Sequence, residues 1–167
     1  MLNIRRYIPI FIVFTIYISS FGQQKQISTN AMVPSVFYIG EHESAFEKMV
    51  KDYNTLLFTV CDNSMELTSD SWTMFLKDIE SYATLNNIDL KGTKYWMNVF
   101  WNKDGTIDHI AFFPKPNSRN MNYDDIKTFL TGFVRQYQSP MKFKNRFSHY
   151  GSASFPVFTK ASLAKEK

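Results

Sequence analysis

Cys61 is the only cysteine among 167 residues, so no disulfide can close within the chain. Glycine is also sparse: the six residues are scattered, and no glycine-rich loop can cradle a phosphate. The histidines lie at 42, 109 and 149, with no H-E-x-x-H motif and no His/Cys pair at metal-ligand spacing. Charge of one sign is not in large excess, since 19 basic against 15 acidic residues give +4. No Lys/Arg cluster interleaved with stacking aromatics marks a nucleic-acid surface. What the chain does have is aromatic and apolar bulk, 17% and 44% of its residues, enough at this length for one core and too little for two domains. The expectation is one unit held by packing alone, with no cofactor and no metal.

The first residues read "MLNIRRYIPIFIVFTIYISSFGQQ". Arg5 and Arg6 precede an apolar run from Tyr7 to Ile18, and Ser20 and Gly22 place small residues where a signal peptidase requires them. The run is shorter than the ~20 residues that a spanning helix needs. Residues 1–22 therefore read as a secretory signal peptide. Its removal takes away two basic residues, leaving 17 against 15 and a net charge of +2. No cysteine follows the run to accept a lipid, so no stable membrane anchor is expected after cleavage. Residues 23–35 read as a flexible leader, 36–159 as a single α+β domain and 160–167 as a polar tail.

Within the domain, Phe46, Met49, Val50, Tyr53, Leu56 and Leu57 recur at helical period and predict a first helix. "LLFTVCDNSM" reads equally as an extension of that helix or as a buried strand. Trp72, Phe75, Leu76, Ile79, Tyr82 and Ala83 predict a second helix, capped by Ser69 or Asp70. "KYWMNVFW" and "TIDHIAFF" are rich in aromatic and β-branched residues and predict two strands, joined by a turn at Asp104-Gly105. Asn122, with Asp125 three residues later, opens a third helix that carries Ile126, Phe129, Leu130, Phe133, Val134 and Tyr137 and stops at Pro140. "MKFKNRF" alternates as an extended segment, and "SASFPVFT" is the last strand. The fold class is α+β, a small antiparallel sheet packed with about three amphipathic helices.

Several local groups invite a chemical reading. "WNKDGTIDHI" fails as a calcium loop of the EF-hand kind, because Gly105 at position 6 sets Phe100 and Ala111 at positions 1 and 12. Asp108 and His109 resemble a base and its orienter, yet successive strand residues point to opposite faces, and the pair is expected apart. "EHE" at 41–43 lies before a helix, where acidic side chains meet the positive end of the dipole. Cys61 lies in an apolar run and reads as a small core residue, and "YGSASFP" lacks the G-x-S-x-G elbow of a hydrolase.

One pattern exceeds background. Alternation sends Met97, Val99, Ile110 and Phe112 to one sheet face and Trp96, Phe100 and Phe113 to the other. Two apolar faces mean either helices on both sides or an open aromatic face that meets a peptide, glycan or protein.

The succession helix, strand, D-G turn, strand, helix, strand over residues 70–158 resembles the C-terminal domain of the TonB family. The matching segments are "MNVFWNKDGTIDHIAF" with its turn at Asn102-Lys103-Asp104-Gly105, Tyr137-Gln138-Ser139-Pro140, and Phe155-Pro156-Val157-Phe158. The resemblance implies a periplasmic domain whose edge strand, within Phe147–Phe158, accepts a short peptide by strand addition. This chain lacks the family's long proline-rich spacer. Taken with the aromatic face, the candidate partner-binding residues are Trp96, Phe100, Phe113, His149, Tyr150 and Phe155. The expected role is an exported cell-envelope interaction module, periplasmic or extracellular, with a protein or peptide partner. The alternatives are a small secreted enzyme using Asp108, His109 or His149, or a structural subunit of an envelope assembly.

Overall fold

The computed structural model describes residues 33–139 and 142–158, all within the compact unit Met32–Lys167. The signal peptide, most of the leader and the polar tail expected from sequence lie outside the described residues. Among the described residues no helix is long and apolar enough to cross a membrane.

Nine elements follow one another: β1 (Val36–Tyr38), α1 (Glu43–Asp52), β2 (Thr55–Leu56), α2 (Leu57–Val60), α3 (Met65–Leu85), β3 (Lys94–Trp101), β4 (Ile107–Pro114), α4 (Tyr123–Gln136) and β5 (Phe147–Ser154). The sheet order is β1-β4-β3-β5-β2. β3 pairs antiparallel with β4 and β5, whereas β1 runs parallel to β4 and β2 parallel to β5. The class is α+β, but the small antiparallel sheet is corrected to a mixed one of five strands, and the three helices to four. The two added strands, three and two residues long, are too short to show a period, and only distant partners define them.

The hairpin between β3 and β4 turns at Gly105, whose φ of 90° is open to glycine. Asp104 holds the turn by accepting from the N–H and hydroxyl of Thr106. α3 begins at Met65, and its cap is neither Ser69 nor Asp70 but Ser64, which accepts from the Leu67 N–H. α4 is capped by Asn122, which accepts from the Asp124 N–H. α1 ends at Asp52, so Leu56 and Leu57 leave the first helix and enter β2 and α2. The extended reading of "MKFKNRF" is also corrected: of its described residues, 142–147, only Phe147 is in a strand, at the start of β5.

Two cores flank the sheet. On one face α2, α3 and α4 bury Leu57, Trp72, Phe75, Ile79, Phe129 and Phe133 against Met97, Val99, Ile110, Phe112 and Phe147. On the other face, α1 alone packs Met49 and Tyr53 onto Phe37, Phe100 and Ala111. A helix of ten residues is about 15 Å long, while an eight-residue strand runs about 26 Å. Among the described residues, α1 covers the Phe100 end of the second face and leaves Trp96 and Phe113 exposed.

Candidate functional site

The uncovered end carries the aromatic residues. Trp96 on β3, Phe113 on β4 and Tyr150 on β5 are 40%, 49% and 58% exposed. Register makes Trp96 and Phe113 cross-strand neighbours, and the rings of Trp96 and Tyr150 lie parallel with centroids 5.9 Å apart. Lys115 places its ammonium 3.9 Å above the Trp96 ring, where the quadrupole of the ring attracts it. The same Nζ donates to the Ser152 hydroxyl. At the junction with the α1-covered end sits Asn98, flanked in register by Ala111 and Tyr150. It is buried, and its Oδ1 has no hydrogen-bond partner among the described residues.

The other expected site residues lie elsewhere. Phe100 shares the face of Trp96 but is fully buried beneath α1, because that end of the sheet is the covered one. Phe155 lies in the helix-covered core. His149 points to the helix side, 4.7 Å from the Trp72 ring, and burial lowers its pKa. Of the six candidates, three converge on one open surface. Asn98 and Lys115 were not legible as site residues, because only the register of three strands brings them beside the aromatics.

β5 is the proposed edge, and the sheet treats it unevenly. β2 pairs with Phe147 and Ser148 only, so from His149 onward no strand lies on the outer side of β5 among the described residues. Trp72 stands there instead, and its Nε1 donates to the Ser152 carbonyl at 2.9 Å. Gly151 makes this approach possible, since a Cβ at that position would lie 2.8 Å from Cε2 of Trp72.

The Asp108–His109 pair departs from the alternation expected of a strand. The ladder slips between Phe100 and Trp101, which face His109 and Ile107, so Asp108 is the extra residue of a β-bulge. The bulge turns its carboxylate toward α1, where it accepts from the Tyr53 hydroxyl and lies 3.6 Å from Nε2 of His109. Nδ1 of His109 is within 3.1 Å of the Pro34 carbonyl, and Arg146 donates to the Tyr53 oxygen at 3.5 Å. Burial and the bond to Asp108 push the Tyr53 pKa up to about 12. These groups satisfy one another, and the arrangement fastens α1 and the chain before β1 to the sheet. Among the described residues no three His, Cys, Asp or Glu side chains are grouped to hold a metal ion. Cys61 has the Ser71 hydroxyl 3.5 Å away and no described bond to a histidine.

No family profile matches the sequence, and no curated protein or solved structure matches it either.

Proposed function

We propose that the protein is an exported binding module of the cell envelope that captures an extended segment of a protein or peptide partner on the open end of its second sheet face. One observation carries this reading. Trp96, Phe113 and Tyr150 stand exposed together on one face of adjoining strands. Aromatic side chains bring large contact area at low entropic cost.

The outer side of β5 from His149 onward, which pairs with no strand among the described residues, lies beside this surface and would extend it by strand addition, as the resemblance to TonB-like domains implies. Full addition requires Trp72 to release the Ser152 carbonyl. The α3–β3–β4–α4–β5 order agrees with that resemblance, and the N-terminal sequence supports export to the periplasm or beyond. An enzyme centred on Asp108 and His109 is less well supported, because the partners of those side chains belong to the protein itself.

The test is capture from cell-envelope extract by the chain lacking residues 1–22. Wild type is expected to retain a proteinaceous partner that the Trp96→Ala/Tyr150→Ala double variant does not. Recovery of the same material by both proteins, or of small metabolites alone, would overturn the reading.

A further inference from the structure

A half-open cavity of about 400 Å³ lies on the helix side of the sheet, away from the aromatic surface. Its lining comes from α2, the N-terminal half of α3, the end of β3, the start of β5 and the segment after α4. It is well over twice a benzene-sized cavity of roughly 150 Å³ and within the usual range for small-molecule sites.

Its walls are ring surfaces already engaged with each other. Trp101 stacks on Phe147 at 4.9 Å and Trp72 on Phe75 at 5.3 Å, while Phe75 meets Trp101 and Tyr137 edge-on. No free pair of parallel faces remains to sandwich a planar ligand, and a flexible chain can follow such walls. Polar groups are few and unevenly placed. The Ser71 hydroxyl contacts Cys61, and the Ser139 N–H donates to the Gly105 carbonyl. The charged lining residues, Asp62 and Lys142, are both exposed. A sugar or nucleotide would find no convergent donors inside, whereas an apolar chain would need none.

We propose that this cavity binds the alkyl chain of a free medium-chain carboxylate, with the tail among Trp72, Phe75, Trp101 and Phe147 and the carboxylate at the mouth beside Lys142. Cys61, on the cavity wall and the only cysteine of the chain, reports on occupancy without engineering.

The experiment measures alkylation of Cys61 by monobromobimane, and tryptophan emission, in the chain lacking residues 1–22. Decanoate is used below its critical micelle concentration. Decanoate at ten times its Kd is expected to slow alkylation about tenfold, by simple occupancy. Hexanoate should bind more weakly. Lys142→Gln should weaken decanoate about threefold, the scale of an exposed ion pair, and leave decanol unchanged. Ser71→Phe, which fills the cavity and keeps Cys61, should abolish protection while the thermal melt confirms folding. If that variant does not fold, the chain-length series on wild type decides. The proposal is overturned if decanoate gives no protection, if hexanoate binds as well, or if decanol binds wild type as tightly. Equal protection in a folded Ser71→Phe variant would also overturn it, as would protection by phospholipid vesicles alone.

Discussion

The indole Nε1 of Trp72 and the carbonyl of Ser152 are joined by a 2.9 Å hydrogen bond across 80 positions of sequence. A side chain from α3 thus occupies an acceptor that an incoming strand would use, which is one way proteins blunt a free sheet edge. Trp72→Phe keeps the ring and removes the donor. It should cost about 1 kcal/mol in urea unfolding and, if partners add to β5, should tighten their capture in the envelope pull-down. Unchanged stability would show that the bond contributes nothing, and weaker capture would argue against addition at this edge.

Gly151 admits the Trp72 ring, so Gly151→Ala should displace it. The expected cost is about 1–3 kcal/mol, typical of overpacking, together with a change in the near-ultraviolet circular dichroism of tryptophan. A variant with wild-type stability and spectrum would mean that the ring moves freely.

Burial separates two aromatic residues of one strand face. Trp96→Ala removes a 40%-exposed ring and should change stability by under about 1 kcal/mol. Phe100→Ala empties a fully buried position and should cost about 3–5 kcal/mol. Chemical unfolding of the two variants checks the contrast, and equal losses would contradict the placement of α1.

Tyr53 connects α1 to the bulge on β4, and its pKa is raised to about 12. The folded state thus favours the neutral phenol more than the unfolded chain does. This contribution is complete below the ordinary value near 10 and is lost as pH climbs toward 12. Unfolding free energy should fall over that range, and less steeply in Tyr53→Phe, which should also lose about 1 kcal/mol at neutral pH with the hydrogen bond to Asp108. Parallel pH curves for the two proteins would refute the assignment.

His149 gives the opposite sign. Burial lowers its pKa, so the folded state prefers the neutral ring, and stability present above the ordinary value near 6.5 is lost as pH falls below it. A His149→Gln variant should show a smaller drop in urea midpoint between pH 7.5 and 5 than wild type. Other groups lose stability in acid in both proteins, so the difference between the curves is the readout.

Much of the sheet was legible locally. The aromatic and β-branched residues of 94–101 and 107–114 marked β3 and β4, and their alternation divided Met97 and Val99 from Trp96 and Phe100. The start of α3 was obscured because Met65 and Leu67 in its first turn are exposed, so no apolar stripe announced it. The bulge at Asp108 carries no glycine and exists only because β3 slips against β4. Alternation also cannot tell how far a helix covers a face. For that reason Phe100 and Trp96 looked equivalent in sequence, and the length of α1 separates them.

β1 and β2 precede α3, yet each completes its ladder with a strand from the other half of the chain: Val36 with Ile110, and Thr55 with Phe147. Such distant pairings form late, because long loops must close before they gain anything. The last strand therefore acts as a keystone. A growing chain that has not yet delivered Phe147–Ser154 leaves one side of β3 bare and β2 without a berth, and a nascent protein in that condition is the form most exposed to proteases and to self-association.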